Sequence, residues 1–282
     1  MRLLLVEKKV AAKYTKFMNF EEDDVQRQNQ QAEDEGNDQA DEETHLLRER
    51  EDEEHKIPPD QPRPIRFFPL LYCLSDPRLL VALLLAFVQA TLLSSFDATV
   101  PTIATSYFGF DSLSSGLLFI ALVLPYLLLG PIAGWAVDRY GTKPASVLGF
   151  GYLVPVLILL RLTAHGGTSE VVKYCALLAL CGVGLAVISS PSIVEASTVV
   201  EMYEKANPNF FGGNGPYAQL YGINSMVFSS GLTLGPLMAG GLKDTIGYGD
   251  MNAVIAVLCG LTAALSFVFV GGKPRWLRRA RR

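Results

Sequence analysis

The sequence predicts an all-α membrane protein with six transmembrane helices, preceded by a disordered acidic cytosolic segment. Two observations carry this prediction. Long uncharged apolar runs recur through residues 67–272, and a helix of about 20 apolar residues crosses a bilayer core. Residues 1–66 instead hold 18 of the 28 acidic and 11 of the 24 basic residues of the chain. The acidic balance of the sequence therefore belongs to its first part.

Six candidate spans follow one another in the apolar part, and all have the length that a bilayer requires. Thirteen Lys and Arg residues lie near the span ends on the side of residues 1–66, against three on the other side. Because basic residues concentrate on the cytosolic face, both termini are expected in the cytosol. The predicted spans are residues 78–104, 113–137, 145–163, 171–195, 217–242 and 251–271.

Four regions are predicted from composition. Residues 1–20 form a basic amphipathic helix, which either lies on an anionic membrane surface or is a solvated connection between two helical bundles. Residues 21–66 form the acidic cytosolic loop, which has too few apolar side chains to order itself. Residues 67–272 form the six-helix bundle, and residues 273–282 form a basic cytosolic tail.

The sequence does not favour chemistry on a substrate. Its four cysteines have no C-x-x-C spacing, its three histidines lie outside the predicted spans, and no phosphate-binding glycine loop occurs. The prediction is a protein that is not an enzyme, has no catalytic residues, cofactor or metal site, and does not bind nucleic acid.

A charged turn joins the second and third predicted spans at residues 130–144, GPIAGWAVDRYGTKP. Charges in such number do not lie in hydrocarbon, so the turn is expected at the membrane surface. Glycines in it allow helices to approach closely or the chain to bend sharply. The glycines and charged residues of this turn, called here the switch motif, are Gly130, Gly134, Asp138, Arg139, Gly141 and Lys143.

The spacing of these residues resembles the G-x-x-x-D-R-x-G-[RK]-[RK] loop of the major facilitator superfamily of secondary transporters. Thr142 departs from it, because the family usually carries a basic residue there. The resemblance implies that Asp138 accepts bonds from a neighbouring helix N-terminus and that Arg139 and Lys143 pair with acids in one conformational state. One basic residue fewer would weaken such a latch.

The resemblance covers about residues 70–272, and its branch is similar to fungal drug-proton antiporters and vesicular amine transporters. Residues 217–241 and the stretch FDATVP carry that similarity. It implies that the six spans are the C-terminal half of a twelve-helix fold, and that the protein exports small organic molecules by proton exchange.

An internal repeat points the same way. Leu129-Gly130-Pro131 leads to Gly134, Asp138 and Gly141 at the end of span two, and Leu234-Gly235-Pro236 leads to Gly240, Asp244 and Gly247 at the end of span five. Three spans separate the copies, so they end on opposite membrane faces. This pattern predicts a 3+3 inverted repeat.

Polar residues within the spans are the candidates for a substrate and proton pathway, because buried polar groups in a membrane are costly. Asp97 either faces a partner or a wet cavity, or caps a helix that breaks before Pro101. Glu195 is either a gate or proton site, or an interfacial acid that reaches water. Gln89 and Asn224 suit either substrate hydrogen bonds or bonds between helices.

The predicted partners are the lipid bilayer, a small organic substrate and, where transport is coupled, a proton. Six helices form one wall of the expected cavity, so an N-terminal six-helix half or a homodimer partner is also expected. The alternative function is that of a truncated, non-transporting membrane interaction protein. The plasma membrane and a vacuolar or vesicular membrane are both compatible with the sequence.

Overall fold

The computed structural model describes residues 55–57, 68, 70–163, 166–207, 210–211 and 215–271, and the regular structure in this part of the chain is entirely helical. The expectations for residues 1–20, 21–54 and 273–282 lie outside the described residues. The helices are α1 Leu70–Cys73, α2 Pro77–Phe108, α3 Ser112–Tyr140, α4 Thr142–Leu160, α5 Thr168–Ile188, α6 Pro191–Ala206 and α7 Tyr217–Phe269.

Five helical stretches are long and apolar enough to cross a membrane when α5 and α6 are taken together and α7 is taken as one. Gly247 divides α7, because its backbone has φ 86° and ψ 165° and is not helical. The two parts, residues 217–246 and 248–269, are called here the first and second halves of α7. With this division the described part of the chain has six spans, as the sequence predicts.

Two helix ends differ from the predicted spans. The sequence predicts that the first span ends at residue 104, but α2 continues through Pro101 to Phe108, so the alternative in which Asp97 caps a helix that breaks before Pro101 is wrong. The fourth span does not end at Glu195, because α6 continues to Ala206. Pro191 is where the helix is interrupted: α5 ends at Ile188 and α6 restarts with this proline at its first position, where a missing N–H costs no hydrogen bond.

Close glycine contacts give the direction of the packed helices. Gly231 lies against Phe87, and Gly235 lies against Thr91, so α2 and the first half of α7 run parallel. A Cβ on Gly231 would lie 2.5 Å from the Phe87 carbonyl oxygen, and the backbones can meet only because it is absent. In the same way Gly182 of α5 lies against the backbone of α3.

The second half of α7 runs antiparallel to α4. Val154 lies beside Gly260 near the middle of the pair, Arg161 beside Gly249 at one end, and Lys143 beside Gly271 at the other. These helix directions place the starts of α2 and α4 and the end of α7 at the same end of the bundle. The opposite end of the bundle holds the end of α2, the start of α5 and the start of the second half of α7.

The two ends have different interiors. At the first, called here the Glu195 end, a small apolar cluster that includes Leu70, Cys73 and Tyr203 joins α1, α2, α6 and α7. At the second, called the Tyr248 end, Tyr248 lies in the main core, where its hydroxyl is 3.3 Å from that of Tyr174 and its ring centroid 6.3 Å from that of Tyr107.

A glycine with a positive φ makes the turn between helices at each end. Gly141 has φ 90° and ψ 167° and separates α3 from α4 by one residue. Gly247 has φ 86° and ψ 165° and separates the two halves of α7. Only glycine adopts this region without strain, because a Cβ would clash with the backbone. Both glycines belong to the repeat that the sequence predicts.

Candidate functional site

A buried carboxylate lies at the Glu195 end. Glu195 is 1 % exposed and lies in the second turn of α6, where the restart of the helix at Pro191 places it. Its Oε1 accepts hydrogen bonds from Arg78 Nε and, at 3.0 Å, from the backbone N–H of Gly271. Its Oε2 accepts a hydrogen bond from the Thr142 hydroxyl. Both oxygens are therefore satisfied, as a buried charge requires.

Arg78 supplies the opposite charge from the first turn of α2. Its side chain is 19 % exposed, and its backbone N–H donates to Asp76 Oδ1 at 2.8 Å, where Asp76 caps the helix. The guanidinium is thus held at a fixed helix end and bonds to a carboxylate of another helix. Charge-assisted bonds of this kind are stronger than neutral ones when they are shielded from water.

The contact that Thr142 makes explains why this residue departs from the family pattern. It directly follows Gly141, is 9 % exposed, and points its hydroxyl at Glu195. The one-residue turn brings the start of α4 to α6, so the position acts as a buried donor. Arg78, Thr142, Glu195 and Gly271 are called here the Glu195 cluster. It joins the starts of α2 and α4, the body of α6 and the residue that closes α7.

The alternative in which Glu195 is an interfacial acid that reaches water does not fit its burial. Sequence reasoning missed Arg78 and Thr142 as its partners. The Glu195–Arg78 pair spans 117 positions of the chain, so no local spacing reveals it. The sequence does single out Thr142, because it is the one position that departs from the motif. What the departure does can be understood only once the structure places Glu195 beside it.

The other charged residues of the turn lie outside the cluster. Asp138 and Arg139 are exposed. The Arg139 guanidinium lies 5.7 Å from the centre of the Trp135 ring, and Lys143 Nζ lies 5.1 Å from that of Phe267. In the part of the chain that the structure describes, neither cation pairs with a carboxylate. Their predicted pairing in one conformational state therefore stays a prediction.

The two remaining glycines of the switch motif differ in their surroundings. A Cβ on Gly134 would lie 3.8 Å from the Ser190 hydroxyl, an ordinary contact, whereas a Cβ on Gly130 would meet no atom within 4 Å. Neither glycine is required for close packing between the described residues. Gly141, with its positive φ, is the member of the motif whose backbone requires glycine.

Three predicted pathway residues lie away from the Glu195 cluster. Gln89 is buried in α2, and Asp97 is exposed two turns further on. Ala90 and Ser94, which lie seven and three residues before Asp97 on α2, are both buried. At about 1.5 Å per residue, Asp97 lies roughly 28 Å along α2 from Arg78. The structure therefore spreads the four candidates over α2, α6 and α7 and does not gather them in one site.

Asn224 lies on the first half of α7, on the same side as Gly231 and Gly235. Its Oδ1 is buried and accepts no hydrogen bond from the described residues. Further along this seam, the hydroxyls of Thr91 and Ser94 lie 3.5 and 3.4 Å from the Gly231 carbonyl oxygen, which binds the two helices together. An unsatisfied acceptor beside a close-packed seam is a place where a ligand donor would be stabilised.

Comparison with known proteins identifies the family. Residues 42–207 match the family model of the Major Facilitator Superfamily. The chain is 53 % identical over 210 residues to the MFS-type transporter ppzB of Metarhizium majus, a match that covers 73 % of this chain and 46 % of that protein. It is 51 % identical over 210 residues to ppzB of Metarhizium rileyi, covering 73 % and 44 %.

A third relative is an uncharacterized MFS-type transporter of Schizosaccharomyces pombe. It is 39 % identical over 174 residues, which cover 62 % of this chain and 39 % of the relative. The chain spans about half the length of the curated relatives it matches. All three relatives are described as MFS-type transporters.

Proposed function

Because the chain belongs to the Major Facilitator Superfamily, we propose that it forms the C-terminal six-helix half of a transporter that exports small organic molecules in exchange for protons. It is a multi-pass membrane protein of long apolar helices. The observation that carries the proposal is the Glu195 cluster, in which one buried ion pair ties four chain segments together at one end of the bundle.

The cluster has the properties of a latch. Alternating access requires the helix ends on one side of a carrier to close and open as rigid bodies. With the pair formed, Arg78 and Glu195 satisfy each other; with it broken, each needs water or a new partner. The equilibrium between closed and open ends therefore depends on whether this one contact is made.

A proton can act on the same contact. Protonation of Glu195 would remove its charge, and with it the charge-assisted bond from Arg78, while Thr142 and Gly271 would still face the carboxyl group. Opening would then no longer leave the buried Glu195 side chain charged and unpaired, and the partly exposed Arg78 guanidinium would pair with water instead. This gives proton exchange a place in the transport cycle, without any metal or cofactor.

Substrate contacts are assigned to polar residues of α2 and of the first half of α7, two helices that pack against each other. Asp97 offers a carboxylate, Asn224 an unsatisfied oxygen, and Gln89 an amide. An acid and two amide groups on apolar helices suit a small organic molecule that carries a positive charge or donors. Small organic cations are therefore the substrate class to test first.

A second half is expected to cover the exposed helices. Within the apolar 18-residue stretch of each helix that could cross the bilayer, 78 % of the residues of α2 are buried but only 17 % of those of α3. Lipid covers part of such a surface, and an N-terminal six-helix half or a second copy of the chain would cover the rest. The matching Gly141 and Gly247 turns, one at each end, support a 3+3 inverted repeat for this bundle.

The test is uptake of labelled organic cations into proteoliposomes with an imposed pH gradient. The chain is reconstituted alone and together with the part of a Metarhizium relative that it does not cover. We expect gradient-dependent uptake in at least the second preparation, and loss of the gradient dependence in Glu195→Gln. Asp250→Asn, which breaks an exposed pair at the other end, is the matched control.

Equal uptake with and without the gradient would rule out proton coupling. Failure of both preparations to transport any cation of the panel, with folded protein in the membrane, would instead favour a membrane interaction protein. Retention of gradient dependence in Glu195→Gln would remove the carboxylate from the coupling step.

A further inference from the structure

The C-terminal end of α6 holds a peptide that precedes the bundle. Asn207 caps this helix, and its side-chain oxygen accepts a hydrogen bond from the Ile57 N–H at 2.9 Å. Its side-chain nitrogen donates to the carbonyl oxygens of His55, at 2.8 Å, and Tyr203, at 2.9 Å. One amide thus pairs with the backbone of residues 55 and 57 as a neighbouring strand would, while it is fixed to its own helix.

Side chains add to this backbone pairing. The His55 ring lies edge-on to the Tyr203 ring, with centroids 4.8 Å apart, and Ile57 packs against the apolar cluster around Tyr203. Residues 55–57 lie in the segment that composition assigns to the acidic loop, yet they are held at three points. Residues 55–57 are thus held by backbone hydrogen bonds and by an aromatic and an aliphatic side chain together, which are the contacts that a peptide-binding site makes.

The same helix end connects to the Glu195 cluster by direct contacts. The Tyr203 hydroxyl donates to Asp76 Oδ2 at 3.3 Å, and Asp76 Oδ1 accepts from the Arg78 N–H at 2.8 Å. Arg78 then bonds to Glu195, which lies about 18 Å back along α6 from Asn207. The peptide and the ion pair are therefore joined both through α6 and through the cap of α2.

We infer that Asn207 and Tyr203 form a clasp for a peptide segment, that residues 55–57 of this chain occupy it, and that its occupancy stabilises the Arg78–Glu195 pair. Residues 55–57 would then stabilise the closed state of the Glu195 end when they are docked, and this stabilisation would be lost when they undock. Its consequence for transport rests on the proposed function, but the clasp itself does not.

Hydrogen exchange of the whole chain in lipid nanodiscs tests the clasp without any substrate. In Asn207→Ala the Ile57 amide loses its acceptor, and we expect its exchange to rise about two- to tenfold, the range for one net hydrogen bond. The Arg78 amide, which Asn207 does not touch, is expected to rise in the same direction. Lys205→Ala, an exposed change on the same helix, is expected to alter neither amide.

Tyr203→Phe tests the contact that links the two sites. It keeps the ring beside His55 but removes the bond to Asp76, so Arg78 exchange is expected to rise, and Ile57 exchange is expected to rise by less than in Asn207→Ala, because coupling between two sites is reciprocal. If Asn207→Ala does not fold, Asn207→Leu serves instead, because it keeps the side-chain volume and also removes the Ile57 acceptor. Faster exchange at Ile57 with unchanged Arg78 would overturn the coupling, and unchanged Ile57 would overturn the clasp.

These outcomes are separate from those of the transport experiment. A chain that moves no cation but shows the expected exchange pattern would retain the clasp and lose the proposed function. A chain that transports but shows wild-type exchange in every variant would retain the function and lose the clasp.

Discussion

The two ends of the bundle repeat a backbone and differ in their chemistry. Each has a glycine turn with almost the same dihedral angles, φ 90° and ψ 167° at Gly141 and φ 86° and ψ 165° at Gly247. The residue that follows each glycine is buried, and its side chain contacts other helices: α6 at the Glu195 end, and α2 and α5 at the Tyr248 end. At the first it is Thr142, beside a buried ion pair; at the second it is Tyr248, beside two tyrosines.

This difference teaches which end is sensitive to a single change. A buried ion pair is stable only while both partners and their donors are present, since one charge alone in an apolar interior is costly. A tyrosine cluster loses one contact at a time and keeps its apolar area. A latch that must switch between two states is therefore better placed at the Glu195 end than at the Tyr248 end.

The largest expected effect comes from removing one partner of the buried pair. Arg78→Met leaves the Glu195 carboxylate buried without its counter-charge, and we expect the free energy of unfolding to fall by about 3–5 kcal/mol. Thermal unfolding in detergent measures this. The control at the other end is Arg161→Met: its pair with Asp250, at 2.7 Å, is 54 % and 53 % exposed, so about 0–1 kcal/mol is expected.

The double variant Arg78→Met with Glu195→Gln sharpens the same comparison, because it removes both charges. It is expected to recover much of the stability that Arg78→Met loses. Equal losses for the Arg78 and Arg161 variants would contradict the assignment of the buried charge to one end.

The glycine turns are expected to respond alike. Gly141→Ala and Gly247→Ala each place a Cβ in a backbone region that is essentially confined to glycine, at a cost of about 1–3 kcal/mol. Gly240→Ala is the matched control, because a Cβ there meets nothing within 4 Å and its φ is not positive. A large loss at one turn and none at the other would show that the two backbones are not equivalent.

Removing a single hydroxyl at each end is expected to give a smaller difference in stability loss between the two ends. Thr142→Val removes a donor to a carboxylate, and about 1.5 kcal/mol of stability should be lost. Tyr248→Phe removes one neutral contact of 3.3 Å, for which about 0.5 kcal/mol is expected. The measurement is chemical unfolding of both variants in one detergent, and a larger loss for Tyr248→Phe would reverse the comparison.

The smallest effect is expected from removing the charge of a helix cap, Asp111, at the Tyr248 end. Asp111 caps α3, and its hydrogen bonds from Ser114, one of them from the backbone N–H at 3.0 Å, lower the pKa of this carboxyl below its ordinary value. A lowered folded-state pKa means that the cap stabilises at neutral pH and that this stabilisation is lost as the pH falls through that pKa. Asp111→Asn should therefore lose less stability than the wild type when the pH is lowered through the range in which Asp carboxyls take up protons, in unfolding followed against pH.

The sequence predicted the turn and missed the contact that gives it meaning. Residues 130–144 carry a short-range pattern, and Gly141 is where α3 ends and α4 begins, as that pattern requires. Asp138, Arg139 and Lys143 were the expected participants, yet Thr142 makes the buried bond. Side-chain partners depend on what another helix brings to the same place, and a local motif contains no such information.

By itself the sequence determined that long apolar helices fill residues 70–271 and that a charged glycine turn joins two of them, because hydrophobic run length and glycine backbone freedom are local properties. Only the tertiary structure decided that α6 continues past Glu195, that Arg78 pairs with this carboxylate, and that residues 55–57 dock on Asn207. The physical reason is that a buried charge or amide is satisfied by whichever donor the packed helices bring within reach, and that donor is set by the fold as a whole.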